Sequence, residues 1–149
     1  MSGPAPAHGG EATPAPLRGR RTAQQHAVLD ILSGDDQFRS AQHLHLDLNR
    51  HRGDRIALTT VYRILQTFTR ERIVESQRAE DGEILYRLSK NRGHHHNLLC
   101  RRCGRAIGFQ PHDLEQEALR FAAEHGFTDI THHIDVYGTC PRCGPAGSD

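Results

Sequence analysis

Two C-x-x-C pairs, Cys100/Cys103 and Cys140/Cys143, are separated by 36 residues in a 149-residue chain with four cysteines in total. Four thiolates in that pattern suit a closed tetrahedral zinc site with no open position for a substrate. Each pair sits in a knuckle, "CRRCG" and "CPRCG", where Gly104 and Gly144 permit a tight backbone. Such a site ties the two knuckles together and stabilises a small core. Help of this kind is needed, because hydrophobic residues make up 36% of the chain and the mean hydropathy is -0.67. No apolar run approaches a membrane span, and "MSGPAPAHGGEATPAPLRGRR" lacks the apolar segment of a secretory signal. The expectation is a cytoplasmic protein whose cysteines hold metal rather than disulfides.

Upstream of the cysteines the pattern is helical. Residues 1–17, rich in Pro, Gly and Ala, read as a disordered tail. "TAQQHAVLDILSG" offers Thr22 as N-cap, an apolar stripe of Val28, Ile31 and Leu32, and Gly34 as terminator. "SAQHLHLDLNRHRG" offers Ser40, then Leu44 and Leu48, then Gly53. "LTTVYRILQTFTRERI" offers Thr59 as cap, Leu58 before it as a staple, and Val61, Ile64, Leu65 and Phe68 as the stripe. Asp81-Gly82 then marks a hairpin between Ile73-Val74 and Ile84 to Leu88. Three helices and a hairpin make a winged helix-turn-helix domain over residues 18–88, followed by a polar hinge at 89–93. Residues 94–149 read as a small α/β domain: strands at "HHHNLLC", "RAIGFQ" and "DITHHIDVYGTC", and a helix at "PHDLEQEALRFAAEHG" closed by Gly126. The fold class is α+β.

In a helix-turn-helix the second helix of the pair enters the major groove. With Val61, Ile64, Leu65 and Phe68 packed inward, Thr60, Tyr62, Arg63 and Gln66 point outward. Arg suits guanine, Gln suits adenine, and Thr or Tyr suits phosphates or a thymine methyl. Arg18, Arg20 and Arg21 precede the first helix and are placed for phosphates or a minor groove. Residues 18–72 hold ten Arg against six Asp/Glu, within a chain whose formal net charge is only +1. The basic part is therefore the one suited to double-stranded DNA.

"GHHHNLLCRRCG" adds three histidines ahead of the first knuckle. On a strand, His94 and His96 share one face, and His95 and Asn97 the other. One three-histidine site is thereby disfavoured. Glu115, in the first turns of the acidic helix, and His132, on the expected last strand, are the natural partners for His94 and His96. Three imidazoles and a carboxylate suit Zn²⁺, and also Fe²⁺, Mn²⁺, Ni²⁺ or Co²⁺. His133 faces away from His132 on that strand and is a weak candidate. For His95, Glu75 is the best partner, one that would join the two domains through a single ion.

As a set, "FRSAQHLHLDL", "LTTVYRILQTF", "DGEILYRL", "HHHNLLCRRCG" and "HGFTDITHHIDVYGTCPRC" resemble the ferric uptake regulator family, from Arg18 to Cys143. "FRSAQ" is most similar to its zinc-uptake branch. The resemblance implies a homodimeric, metal-dependent repressor on palindromic operators, with residues 94–149 as the dimerisation domain. It implies structural zinc on Cys100, Cys103, Cys140 and Cys143, a regulatory metal on His94, His96, Glu115 and His132, and operator contacts by Tyr62 and Arg63. The family's hinge site is only half present. Glu75 and His95 remain, Asn97 stands where a histidine is expected, and Ser89 is the nearest match to an expected cysteine. Either that site binds weakly, helped by Asn97, His133 or water, or sensing rests on His94, His96, Glu115 and His132. The second reading is preferred. Gln25 stands where the family more often has Arg.

Two other classes are weaker. A zinc deaminase wants H-x-E near P-C-x-x-C and an open metal position; "CPRC" is present, H-x-E is not, and no small organic substrate is expected. A zinc buffer has no use for an outward Tyr62-Arg63 pair.

Overall fold

The computed structural model describes residues 20–51, 55–90 and 93–145. The expected tail at 1–17, Arg18, the terminator Gly53 and positions 91 and 92 of the expected hinge lie outside the described residues.

Helix α1 (Ala23–Ser33) starts at Thr22. The Thr22 hydroxyl accepts from the Gln25 N–H and the Gln25 side chain accepts from the Thr22 N–H, a reciprocal cap. Gly34 ends the helix from right-handed backbone rather than the left-handed conformation that favours glycine. After the two-residue strand β1 (Arg39–Ser40) comes α2 (Ala41–His51), with the Ser40 hydroxyl accepting from the His43 N–H. Helix α3 (Leu58–Arg70) is capped by Ala57, which corrects the expectation of Thr59. The Asn49 side chain fixes both the N–H and the carbonyl of buried Ile56, so the chain is aimed into the helix before Thr59 is reached. Leu58 is thus the first helical residue.

Strands β2 (Val74–Arg78) and β3 (Ile84–Leu88) form the expected hairpin, with Gly82 at φ +92° in its turn. β1 adds to β3, giving the antiparallel order β1-β3-β2. That third strand is too short to announce itself in a sequence. Val28, Leu32, Leu44, Leu48, Val61, Leu65 and Phe68 are buried together between the three helices and the sheet. The apolar stripes of the helices are that core, and fully burying each such side chain stabilises by about 1.5–3 kcal/mol.

Strand β4 (His96–Cys100) lies at the centre of the second sheet, order β5-β4-β6. β5 (Ala106–Phe109) is antiparallel to it, and β6 (Val136–Gly138) is parallel. Between them α4 (His112–Glu124) has no buried residue, and Gly126 follows at φ +73°. Two expectations are corrected. The last strand is three residues long, because β6 pairs with β4 only from Leu98 to Cys100. His132 and His133 therefore precede the strand, and the opposite-face argument for His133 lapses. His94 and His95 likewise stand ahead of β4.

The two halves touch along the hairpin, where Tyr137 donates to the Arg78 carbonyl and Arg101 pairs with Glu80, and at Phe38, whose N–H donates to the Gly104 carbonyl at 2.8 Å. Gly104 has φ +76°, and a Cβ there would lie 2.1 Å from the Phe38 carbonyl oxygen. Gly104→Ala should therefore lower stability by roughly 2–4 kcal/mol in urea denaturation at saturating zinc. An unchanged midpoint would contradict this close approach.

Candidate metal centres and DNA-reading face

The backbone of each knuckle folds onto its own first cysteine. The N–H groups of Cys143 and Gly144 donate to the Cys140 carbonyl, and the Gly104 N–H donates to that of Cys100. A cross-link between Arg101 N–H and the Gly138 carbonyl sets the knuckles side by side. The four sulfurs all lie within 4.8 Å of one another, and Cys103 Sγ is 3.7 Å from Cys140 Sγ. A tetrahedron with zinc–sulfur bonds near 2.3 Å has sulfurs about 3.8 Å apart, whereas a disulfide brings them to ~2.05 Å. The arrangement therefore fits a four-coordinate ion. Its charge balance fits too. Burial raises the Cys100 thiol, but the backbone N–H groups of Cys140, Cys103 and Arg102 and the Cys103 side chain outweigh it and bring it down to about 6. Hydrogen bonds with Cys103 and Cys140 push Cys143 the other way, up to about 12. Crowded thiolates repel, and a dication is what lets all four be ionised together.

The second cluster gathers on the opposite side of β4 from Glu75. Glu115 Oε1 lies 2.7 Å from His94 Nε2, 2.7 Å from His96 Nε2 and 3.2 Å from His132 Nε2. All four ligand atoms lie within 4.8 Å of one another. Three elements meet here: the approach to β4, the first turn of α4, and the segment before β6. Hydrogen bonds from His96, His94 and His132, in that order, hold the Glu115 carboxyl at about 2. A permanently ionised carboxylate among three imidazoles is a donor set for a divalent ion. Among the described residues these two clusters are the groups of three or more ligands that converge.

The expected hinge set does not converge in that way. His95 Nε2 is 3.0 Å from Glu75 Oε2, but the other Glu75 oxygen is paired with Arg87. Asn97 is buried, with Oδ1 accepting from Arg87 Nη2 at 3.4 Å and Nδ2 donating to Gln77. Ser89 borders the same cleft as Glu75 and His95 and is held through its backbone N–H to the Ile73 carbonyl. Arg87 escaped the sequence reading. Its signal was the Asp81-Gly82 turn, which sets a register placing Glu75 opposite Arg87.

On α3, Tyr62, Arg63 and Gln66 are exposed and Thr60 is half-buried, while Val61, Ile64, Leu65 and Phe68 face the core. Arg20 is exposed, and Arg21 stands with its guanidinium 6.0 Å from the Phe68 ring centroid. Gln25 is engaged in the cap of α1. Gln66, Thr69 and Arg70 of α3 line a shallow cleft with Ser76 and Tyr86 of the hairpin, so the hairpin sits beside the exposed face of α3.

A winged helix with a polar, arginine-bearing second helix, joined to a small sheet with two metal-ligand clusters, defines the class of metal-binding winged-helix regulators. Residues 18–137 match the model of the ferric uptake regulator family, and the chain belongs to that family. It is 44% identical over 124 residues to the zinc uptake regulation protein of Mycobacterium tuberculosis, covering 83% of this chain and 94% of that protein. Its fold is similar to the ferric uptake regulator of Vibrio cholerae, with TM-score 0.58 and 31% identity over 81% of this chain and 92% of that one. It is also similar to a zinc uptake regulator complexed with zinc and DNA, with TM-score 0.63 and 25% identity over 85% of each chain.

The folded value for Glu115 lies below its ordinary 4.5, so its hold on the imidazoles is complete above that value and fades only as pH falls toward about 2. In a chelator competition assay, Glu115→Gln should weaken zinc at this cluster by about 10–100-fold with the cysteine-bound ion retained. An unchanged affinity in the variant would contradict this.

Proposed function

We propose that this chain is a cytoplasmic, zinc-responsive transcriptional repressor that binds operator DNA as a homodimer. Residues 18–88 form the reading domain, 89–93 the hinge, and 94–149 the dimerisation domain. The observation that carries the reading is the cluster of His94, His96, Glu115 and His132, built beside a separate four-cysteine cluster. A closed sulfur site suits a permanent structural zinc. A partly exposed nitrogen and oxygen site suits an ion that comes and goes. Such donors also accept Fe²⁺, Mn²⁺ or Ni²⁺, and the similarity to a zinc uptake regulation protein favours zinc among them. Thr60, Tyr62, Arg63 and Gln66 read the major groove, and Arg20 and Arg21 hold the backbone.

The apolar side chains Ile107, Leu114, Leu119, Phe121, Phe127 and Val136 are exposed on the second half. A small sheet that leaves so much apolar surface in water supports a second copy as its cover. Among the described residues no helix is long and apolar enough to cross a membrane.

The mechanism is linkage. His94, His96, Glu115 and His132 would hold the ion, which would supply a fixed point of positive charge among them. If the arrangement that holds the ion is the one whose reading helices match the operator, metal shifts the population toward it by its differential affinity alone.

Fluorescence anisotropy on a duplex selected from a random-sequence pool by the zinc-loaded chain tests this. Removing exchangeable zinc while leaving the cysteine-bound ion should weaken binding on the order of tenfold or more. His96→Ala should abolish the zinc response with the fold intact. An unchanged response in that variant would move sensing to Glu75 and His95.

A further inference from the structure

Arg87 is charged and almost fully buried, 5% exposed, where β3 of the first sheet faces β4 and β5 of the second. A buried guanidinium is costly unless its donors are met, and here they are met from several elements. Its Nε pairs with Glu75, its partner across the β2–β3 ladder. Its Nη2 reaches Asn97 Oδ1 on β4 at 3.4 Å, and its Nη1 reaches the Ala106 carbonyl on β5 at 3.5 Å. Its Cζ lies 4.5 Å from the centroid of the Phe38 ring, over the ring face. Phe38 is the residue whose N–H donates to Gly104 across the junction. One cation thus gathers a carboxylate from the first sheet, two oxygen acceptors from the second, and an aromatic face from the loop before β1.

A pair that only stabilised the hairpin would need Glu75 and nothing more. The reach to Asn97 and Ala106 serves the junction. Asn97 is itself buried, and it directly follows His96, a member of the exchangeable cluster.

We propose that Arg87 is a resident cation that fixes the first half of the chain on the second, doing with a guanidinium what a bridging ion would do between Glu75 and the 95–97 segment. Arg87 is accordingly a positioning residue for DNA binding; that last step rests on the function proposed above. The junction does not wait for metal. It also gives the His96 strand a fixed connection to the hairpin that flanks the reading helix.

Asn97→Ala and Arg87→Met separate the junction from the hairpin. The first removes the Asn97 acceptor together with its bond to Gln77, keeps the Ala106 carbonyl, and leaves the Glu75 ion pair whole. Hydrogen exchange at the Phe38 amide, followed by NMR in the zinc-loaded full chain, reads the junction directly. Both variants should lose protection at Phe38 on the order of tenfold or more, while the Leu65 amide in the helical core keeps its protection in Asn97→Ala. Zinc content per chain should equal that of the wild type, and Arg87→Lys should restore part of the protection, having the charge without the fork. Wild-type protection at Phe38 in Asn97→Ala would overturn the proposal and leave Arg87 as a cross-strand pair. Should Arg87→Met fail to fold, Asn97→Ala decides alone. Anisotropy on the selected duplex is the separate arm. Weaker binding of Asn97→Ala at saturating zinc supports the positioning role, and equal binding overturns that role. Absence of any zinc-dependent duplex binding by the wild type would sink the proposed function and with it the positioning role, while the Phe38 readout would still decide whether Arg87 fixes the junction.

Discussion

The second half of the chain has little apolar core, so its order depends on four sulfurs brought to one point. The cluster of buried apolar residues belongs to the helices and the first sheet; in the second sheet Leu99 and Cys100 are the buried apolar members among the described residues. Burying one leucine stabilises by about 1.5–3 kcal/mol, against about 10–16 kcal/mol for a structural zinc in small metal-dependent domains. The sulfur site is thus the larger effect. It holds the end of β4 against the end of β6, and the chain at and just before those two strands carries the three histidines of the other cluster.

β4 organises the rest through the alternation of its side chains. His96 turns toward Glu115, and Asn97 turns toward Arg87. One residue step separates a cluster suited to an exchangeable ion from a junction already filled by a guanidinium. Apart from them, at the strand's end, lies the closed sulfur site. Among the described residues that half offers one cluster of nitrogen and oxygen donors, with the sulfur ligands on one side and Arg87 on the other.

Much of this was legible from the residues. Cap chemistry at Thr22 and Ser40, the apolar stripes of three helices and the Asp81-Gly82 turn mark the winged-helix half, because each is a local signal. Period-two geometry separated His94 and His96 from His95 correctly, although the ladder begins only at His96. What failed was whatever depends on distant partners. Thr59 has the chemistry of a cap, but Asn49 fixes the entry to α3 two residues earlier. The stretch from Asp129 to Asp135 has some strand-like alternation, yet β4 offers β6 a parallel edge for three residues only. Arg87 looked like any arginine in a hairpin. Its meaning depends on Asn97, Ala106 and Phe38 arriving from three other parts of the chain.

The count of zinc ions per chain, before and after mild chelation, bears most directly on this account. Two convergent ligand clusters among the described residues predict two ions in the loaded protein, falling to one when the nitrogen and oxygen site is stripped. Three ions in the loaded protein would mean that Glu75 and His95 hold a metal after all, and that Arg87 does not fill the junction.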